Sequence, residues 1–328
     1  MLEYLLRRLL WAAVMVVVIT LFTFITFNVI PGNPATFTLP AQATQADLER
    51  RERLLGTNRP LYEQYADFLW ELVGEQSLGT SLRTRQSVND IVIAAAPVTA
   101  SLVFGGAVIW MLVAMPIGIL SALRPRSLLD RFGMTFALVG ISAHPVWIGL
   151  MLSYFFGFRL DWFPITGYCD FINPPGGSHC GGPTQWAYHL VLPWVTFGAL
   201  YAALYVRMIR ATVLETLEED WITTATAKGA SAAIVLRRHV LPNAMLPVIT
   251  MLGMDLAVAL GGSLFVESVW SLPGLGQTAL SSLTLRDPPV TQGIVVFVAL
   301  SVIILNLVVD TAYSFLDPRI RFRQGVAA

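Results

Sequence analysis

The sequence predicts an all-α membrane protein with six transmembrane helices. Of its 328 residues, 55% are hydrophobic and only 13% are charged, whereas an ordinary soluble domain carries about 25% charged residues. A transmembrane helix needs about 20 predominantly apolar residues, and the chain has six stretches of that kind. They run over residues 9–30, 98–122, 132–158, 189–208, 244–266 and 290–313. This composition disfavours a soluble enzyme.

The first apolar stretch fits either a retained span or a cleaved signal peptide. Arg7 and Arg8 supply the short basic start of a signal peptide, and Ala41-Gln42-Ala43 has the form of a cleavage site. The apolar run, however, is about 22 residues long, whereas the apolar region of a signal peptide has about 7–15. The Ala-Gln-Ala sequence also lies well beyond the run. We therefore expect the stretch to remain as a span.

The basic residues of the short loops predict the orientation, because they are enriched on the cytoplasmic side of a membrane. With the N-terminus inside, 13 of the 21 Lys and Arg residues are cytoplasmic, and the short outer loops hold only Arg159 and Arg286. The inner set is Arg7, Arg8, Arg124, Arg126, Arg131, Arg207, Arg210, Lys228, Arg237, Arg238, Arg319, Arg321 and Arg323. Both termini are therefore predicted to be cytoplasmic.

This topology divides the chain into three segments. Residues 1–30 form the N-terminal span, residues 31–97 an extracytoplasmic loop, and residues 98–328 a five-helix core with a cytoplasmic loop at 207–242. The outer loop is too long for a simple connector. Asp47–Leu55 and Tyr62–Val73 are amphipathic segments within it, and the second has apolar residues at helical spacing. Those residues are Tyr62, Tyr65, Phe68, Leu69 and Leu72.

Both cysteines, Cys169 and Cys180, fall in the outer loop between the third and fourth spans. Extracytoplasmic compartments permit disulfides, whereas the cytosol keeps thiols reduced. Two cysteines confined to one such loop favour a disulfide. The alternative is two unpaired thiols.

The cytoplasmic loop contains a short predicted helix. Acidic residues suit a helix N-terminus, and four precede or open this helix: Glu215, Glu218, Glu219 and Asp220. Trp221 begins a run of small residues that reaches Lys228 and ends at Gly229, which is expected in a C-cap position. Small side chains let a helix lie close inside a groove, and Trp is favoured at interface hot spots. Docking to another protein is therefore favoured over a solvated linker helix.

Sequence motifs for catalysis and ATP binding are absent. A Walker A motif needs Gly-Lys followed by Ser or Thr, but the only lysine is Lys228, and Gly229 follows it. The chain lacks H-E-x-x-H and G-x-S-x-G, and its histidines have no metal-ligand spacing. The 21 basic residues are balanced by 21 acidic ones, which argues against nucleic-acid binding. We expect no catalytic residue, no metal site and no cofactor on this chain.

Two carboxylates are candidates for a translocation pathway. Asp255 lies near the centre of the fifth span, where a carboxylate costs about 2.5–3.5 kcal/mol on insertion scales. It must face a water-filled path or form a hydrogen bond to a neighbouring helix, and the sequence leaves both open. Glu267 lies near a span end, where interfacial water lowers this cost. Small residues at four-residue spacing predict two helix contacts, at Ala114, Gly118 and Ala122 and at Gly253, Ala257 and Gly261.

Short motifs are spread over nearly the whole chain. They include Leu6-Arg7-Arg8-Leu9-Leu10, Pro31-Gly32-Asn33-Pro34-Ala35, Leu55-Gly56, Arg59-Pro60-Leu61, Gln64-Tyr65, Leu78-Gly79-Thr80-Ser81-Leu82, Pro97-Val98-Thr99, Val266-Glu267-Ser268, Pro273-Gly274-Leu275-Gly276 and, from Asp310 onward, Leu316-Asp317-Pro318-Arg319-Ile320-Arg321. Together they resemble the inner-membrane permease subunits of peptide/nickel-type ABC importers. Asn33 stands where that family usually has Asp.

The cytoplasmic loop resembles the ABC-importer motif E-A-A-x-x-x-G-x(9)-I-x-L-P. The matching positions of this chain are Thr223-Thr224-Ala225, Gly229 and Leu241-Pro242. The chain departs from the motif at two positions, with Thr223 in place of Glu and His239 in place of Ile. The resemblance implies that residues 221–229 form the coupling helix, which docks in a cleft of the ATPase subunit. The implied coupling residues are Glu219, Asp220, Trp221, Thr224, Ala225, Ala227, Lys228, Gly229, Leu241 and Pro242.

The same resemblance implies a type I ABC importer permease fold in the bacterial inner membrane. The implied partners are a second homologous permease, two ATP-binding cassette subunits that hold ATP and Mg, an extracytoplasmic substrate-binding protein and the lipid bilayer. Di- or oligopeptides are the leading substrates, with nickel or another small solute as the alternative. Two other functional classes are alternatives. A secondary transporter or channel would need ion-coupling groups near the middle of the membrane, and Asp255 is a single candidate for them. A scaffold or receptor would carry no substrate flux.

Overall fold

The computed structural model describes residues 2–29, 44–172 and 180–316. Its helices, in chain order, are α1 (Leu2–Phe24), α2 (Gln45–Leu55), α3 (Leu61–Val73), α4 (Val88–Leu123), α5 (Leu128–Ser142), α6 (Pro145–Leu152), α7 (Pro183–Leu217), α8 (Asp220–Ala227), α9 (Ala232–Ile234), α10 (Leu241–Gly262), α11 (Leu264–Trp270), α12 (Leu275–Thr284) and α13 (Pro288–Leu316). Helical π turns follow α1, α6 and α9, at Ile25–Val29, Ser153–Arg159 and Val235–Val240. The predicted all-α fold is confirmed.

Within the described residues, five helical segments are long and apolar enough to cross a membrane. They are Arg7–Phe27, Val88–Leu123, Pro183–Leu217, Ala232–Gly262 and Pro288–Val309. A sixth candidate is the pair formed by Leu128–Ser142 and Pro145–Arg159. Three sequence features lie outside the described residues: the motif at 31–35, the Ala-Gln-Ala sequence at 41–43 and the C-terminal motif from residue 317 onward.

The third predicted span is not one straight helix. Helices α5 and α6 meet at an angle of 105°, and Ala143 and His144 between them have extended backbones. Pro145 explains the break, because a proline disfavours helical geometry in the residue before it and suits the first position of a new helix. The nitrogen Nδ1 of His144 accepts a hydrogen bond from the Val146 amide at 3.3 Å, which caps the new helix.

The chain divides into two compact units, residues 1–98 with 273–307, and residues 99–272 with 308–328. The first unit has an apolar core in which α4 packs against α12 and α13. Val88, Val92 and Ala95 on α4 contact Leu275, Val290 and Ile294. Burying such side chains contributes roughly 1.5–3 kcal/mol each for the larger ones, so this cluster stabilises the unit.

The amphipathic helices predicted at Asp47–Leu55 and Tyr62–Val73 are confirmed as α2 and α3. Thr44 caps α2, and its hydrogen bonds to Asp47 hold the pKa of that carboxyl below its ordinary value. On α3, the rings of Tyr65 and Phe68 lie 5.5 and 6.2 Å from the ring of Phe24 on α1. The Tyr65 hydroxyl also donates to the Val17 carbonyl at 3.2 Å. The aromatic stripe therefore packs α3 on the N-terminal helix.

A buried carboxylate in the first unit joins two distant loops. Asp287 accepts hydrogen bonds from the Ser81 hydroxyl at 2.5 Å and from the Leu82 amide at 3.0 Å. Arg83 Nε donates to the Leu285 carbonyl at 2.9 Å. These bonds hold the Leu78–Leu82 motif against the end of α12.

Replacing Asp287 with alanine is expected to loosen this loop. The change leaves the buried Ser81 hydroxyl and the Leu82 amide without that acceptor, at a cost of about 2 kcal/mol. Amide hydrogen exchange at Leu82 should therefore accelerate roughly thirtyfold. Glu75→Ala, at an exposed carboxylate in the same unit, is the matched control and should leave Leu82 unchanged. Equal exchange in both variants contradicts the assignment.

In the second unit, α7 packs against α5, α6, α10 and α11. The predicted small-residue contact on α4 is confirmed: Ala114, Gly118 and Ala122 are buried. A Cβ on Gly118 would lie 2.9 Å from the Ile209 Cβ and 3.1 Å from the Val206 carbonyl, so only glycine permits this approach to α7. On α10, Gly253 and Ala257 are buried, but Gly261 is exposed, so the second ridge is shorter than predicted.

Candidate functional site

The loop predicted to be cytoplasmic contains the helix α8, which follows α7 after a short turn. Glu219 precedes α8 in an extended conformation and Asp220 lies in its first turn, where an acidic side chain interacts favourably with the helix dipole. Glu215 lies in the last turn of α7 and Glu218 caps that helix. Only two of the four acidic residues therefore serve the start of α8, because α7 extends further than expected.

One side of α8 is anchored and the rest is exposed. Ile222 is buried, whereas Thr224, Ala227 and Lys228 are exposed and Ala225 is half-buried. Trp221 remains 40% exposed, with its ring centroid 6.4 Å from that of His239. A large aromatic ring beside small side chains is thus available to a partner.

Gly229 ends α8 in a left-handed conformation, with φ of +86°. Its amide donates to the Thr226 carbonyl at 2.9 Å, and the Ala230 amide donates to the Ala225 carbonyl at 3.3 Å. This pair of bonds is the Schellman motif, with Lys228 as the capping residue. The predicted glycine stop is confirmed, one residue beyond the C-cap itself.

Residues 231–242 return the chain to α10. Val235 and Val240 are buried, whereas Arg237 and Arg238 are exposed. Leu241 and Pro242 are the first two residues of α10, directly after the π turn Val235–Val240 and inside the continuous helical segment Ala232–Gly262. The Leu-Pro element of the motif therefore lies where the π turn passes into the regular helix α10.

An ion pair between the buried Asp130 and the half-buried Arg210 joins α5 to α7 two turns before the end of α7, and the sequence alone did not indicate it. Arg210 donates to Asp130 through Nε at 2.6 Å and through Nη2 at 3.0 Å. The Ser121 hydroxyl and the Arg126 amide complete the shell of Asp130, at 2.5 and 2.8 Å. A bidentate pair of this kind fixes two helices in one orientation.

Asp255 lies on α10, half-buried, and forms a hydrogen bond with a neighbouring helix. The Tyr205 hydroxyl on α7 donates to its Oδ2 at 2.7 Å. Tyr205 belongs to an aromatic cluster in which Trp110 stacks on Tyr201 with ring centroids 4.5 Å apart. Of the two alternatives that the sequence left open for Asp255, the hydrogen bond to a neighbouring helix is present, and a place beside a translocation path stays a prediction.

Glu267 does not lie where water reaches it in this structure. It is 0% exposed, and its Oε1 accepts hydrogen bonds from Thr99 at 2.7 Å and from Ser263 at 2.8 Å. A role for Glu267 in a translocation pathway stays a prediction, but the expectation that interfacial water reaches it is wrong. The reason is that α10 ends at Gly262 and the separate helix α11 turns Glu267 inward, towards Thr99 on α4.

The segment between Arg159 and α7 contains the two cysteines. Cys169 and Cys180 form a disulfide, with their Cα atoms 5.1 Å apart. His189, in the second turn of α7, lies beside it, with Nδ1 at 3.3 Å from the Cys169 Sγ. The pair could be predicted from the sequence but this histidine could not, because it lies nine positions after Cys180 on a separate helix.

The chain matches a known family over most of its length. Residues 114–322 match the binding-protein-dependent transport system inner membrane component family, and residues 1–103 match the N-terminal part of such membrane components. The chain belongs to this family. The predicted resemblance is therefore confirmed, and the chain is a multi-pass permease of the bacterial inner membrane.

Curated relatives extend over the full chain. The dipeptide transport system permease protein DppB of Alkalihalophilus pseudofirmus is 33% identical, covering 98% of this chain and 100% of the relative. The oligopeptide transport system permease protein AppB of Bacillus subtilis is 34% identical with the same coverage. The glutathione transport system permease protein GsiC of Pectobacterium atrosepticum is 33% identical, again with the same coverage.

Solved structures support the fold. An inward-facing structure of the MetNI methionine ABC transporter matches with a TM-score of 0.54 and 16% identity, covering 69% of this chain and 96% of that one. An amino acid ABC transporter matches with a TM-score of 0.50 and 18% identity, covering 70% and 94%. The predicted fold class, an ABC importer permease, is confirmed.

Proposed function

We propose that this permease is half of the membrane path of an ATP-driven importer of di- or oligopeptides, and that α8 docks on its ATPase. The names of the relatives, which include dipeptide and oligopeptide permeases, support the substrate class. The observation that carries the docking role is the exposed face of α8, with Trp221 at its start and Gly229 at its end.

The complex then comprises this chain, a homologous permease, two ATP-binding cassette subunits and an external substrate-binding protein. ATP and Mg are held by the cassette subunits, because this chain has no Walker A motif. The lipid bilayer surrounds the permease, the substrate-binding protein docks from outside, and the chain itself catalyses no reaction. The N-terminal span is residues 1–30, the outer loop is residues 31–97, and the core is residues 98–328.

ATP-driven motion reaches the membrane through rigid elements. Helix α7 runs unbroken from Pro183 to Leu217, so a displacement of α8 moves one end of a long rod. The Asp130–Arg210 pair makes α5 follow that end. The Tyr205–Asp255 hydrogen bond links the same rod to α10, and we place Asp255 beside the translocation path. The remaining residues of the proposed docking surface lie on α8, beside it or at the start of α10: Glu219, Asp220, Thr224, Ala225, Ala227, Lys228, Leu241 and Pro242.

The complex in proteoliposomes tests the function. Uptake of a labelled dipeptide that needs internal ATP is the expected result, with a competition panel of tripeptides, longer peptides and Ni²⁺ to rank the substrates. Uptake without ATP rejects the importer in favour of a secondary transporter or channel. ATP-dependent uptake of Ni²⁺ alone retains the importer but rejects the peptide assignment.

Replacing Trp221 with alanine is expected to weaken binding of the ATPase. A central tryptophan at an interface contributes about 2 kcal/mol or more, which is roughly a thirtyfold change in affinity. Co-purification and titration of the isolated ATPase onto the permease measure this. Trp70→Ala is the matched control, since Trp70 is 69% exposed on α3 in the outer loop. An equal affinity in the two variants contradicts docking through α8.

The single lysine tests the orientation. Lys228 is exposed, so a membrane-impermeant amine reagent should modify it in inside-out vesicles and leave it unmodified in right-side-out vesicles. Mass spectrometry of the peptide that contains Lys228 separates this reaction from labelling of the N-terminal amine. Modification in right-side-out vesicles places the 207–242 loop outside and overturns the assigned topology.

A further inference from the structure

Three metal-ligating side chains meet at the outer loop of the second unit. The ligand atoms of Cys169, Cys180 and His189 all lie within 4.8 Å of one another. Cys169 is buried, and the other two are half-buried, so an ion can reach the cluster from one side. We propose that these residues form a transition-metal site that is closed while the disulfide is intact and that binds Zn²⁺ once it is reduced.

The imidazole of His189 is already oriented for coordination. Its Nδ1 lies 2.9 Å from the Gln185 carbonyl one turn earlier on α7. A proton on Nδ1 is donated to this carbonyl, which leaves the lone pair on Nε2 free to bind a metal. Histidine ligands of zinc have this arrangement, in which the second nitrogen donates to an outer partner and fixes the ring.

The distance between the sulfur and the nitrogen fits a tetrahedral zinc site. The Cys169 Sγ lies 3.6 Å from Nε2 of His189, and 3.3 Å from Nδ1. Bond lengths of about 2.3 Å for Zn–S and about 2.0 Å for Zn–N, at a tetrahedral angle, place the two ligand atoms about 3.5 Å apart. The separation of Sγ from Nε2 therefore matches that of two ligands of one ion, and rotation of the side chains is needed to bring the sulfur towards the lone pair of Nε2.

The backbone keeps the two cysteines together without the disulfide. Asp170 and Gly181, the residues after Cys169 and Cys180, form a bridge, and the Gly182 amide donates to the Asp170 carbonyl at 3.0 Å. Once reduced, the sulfurs can separate to the spacing of two zinc ligands by side-chain rotation. Two thiolates and one imidazole suit Zn²⁺, and water fills the fourth position.

The redox step is a thiol–disulfide exchange with a dithiol reductant. One thiolate of the reductant attacks a cysteine sulfur and the S–S bond breaks. The second thiol of the reductant then releases the mixed disulfide. The dithiol loses two electrons and becomes a disulfide, while Cys169 and Cys180 become thiols. Zn²⁺ then displaces their two protons to water, and the two thiolates neutralise its charge.

The test uses the full chain in detergent. A water-soluble phosphine reduces the disulfide and is oxidised to its oxide, and anaerobic desalting removes it. Because the chain has only two cysteines, a thiol assay of two per chain verifies reduction. Titration with Co²⁺ should show one ion per reduced chain with the absorption of a tetrahedral thiolate complex, displaced by Zn²⁺. The oxidised chain should bind at least a hundredfold more weakly. Equal binding by the two forms overturns the site.

Histidine variants identify the third ligand. His189→Gln in the reduced chain should weaken binding at least tenfold, and His144→Gln, at a histidine on the α5–α6 connection, should leave it unchanged. His179, the sequence neighbour of Cys180, is the rival imidazole. Full binding by His189→Gln together with loss in His179→Gln overturns the assignment. If His189→Gln fails to fold, the comparison of oxidised and reduced unmodified chain still decides.

Discussion

The Gly229→Leu complex is expected to insert in the membrane normally but to lose ATP-dependent uptake by roughly tenfold. Gly229 has φ of +86°, and a residue with a Cβ pays about 1–2 kcal/mol for this left-handed conformation. No atom lies within 4 Å of a Cβ placed there, so the penalty is conformational. Because 1.4 kcal/mol is a factor of ten in an equilibrium, the Schellman end of α8 would be populated about a tenth as often.

The measurement pairs uptake in proteoliposomes with the amount of assembled complex. Gly229→Asn is the matched control, since asparagine tolerates the left-handed region better than other residues with a Cβ. It should keep most of the uptake. Wild-type uptake by Gly229→Leu would show that the shape of this helix end does not govern coupling.

Asp130→Ala is expected to lower the free energy of unfolding by about 3 kcal/mol. This is the lower end of the range for removing one partner of a buried ion pair. The change leaves Arg210, Ser121 and the Arg126 amide without the carboxylate that they share. Denaturant unfolding in detergent micelles measures the loss. Asp130→Leu combined with Arg210→Met should recover much of it, because a matched apolar pair carries no unpaired charge.

Asp67→Ala is the control for Asp130→Ala. Asp67 pairs with Arg59 at 3.0 Å, and both side chains are exposed, so the pair contributes about 0–1 kcal/mol. Both variants remove an aspartate from an Arg–Asp pair of similar length, and they differ in burial. A loss at Asp130 as small as that at Asp67 contradicts the proposed clamp between α5 and α7.

Local features of the docking helix could be predicted because they depend on neighbouring residues. Gly229 ends α8 because a helix of this kind ends at a residue with left-handed backbone, a conformation that glycine adopts without strain. A glycine that follows a short helical pattern can be recognised from the sequence alone. Pro145 carried an equally local indication of a helix break. The prediction of a span over residues 132–158 rested on continuous hydrophobicity and left out the bend at that proline.

Contacts between distant residues could not be predicted in this way. Asp130 and Arg210 are 80 positions apart, and their pairing depends on the rotation of α5 and α7 about their axes. Glu267 illustrates the same limit: its place near a span end suggested water, but the turn into α11 buried it against Thr99. A shift of one residue in either helix would rotate these side chains away from their partners, because successive residues of a helix point about 100° apart.

The sequence by itself determined the class of protein, an all-α membrane permease with a glycine-terminated short helix, α8, and no Walker A motif in its sequence. Length, hydrophobicity, glycine and proline positions and a single lysine act locally, so they can be read in order along the chain. Only the tertiary structure decided which polar groups meet: Asp130 with Arg210, Asp287 with Ser81, Tyr205 with Asp255, and His189 with the two cysteines. Such partners follow from how the helices pack, because hydrogen bonds and ion pairs act over about 3 Å between residues that lie far apart in sequence.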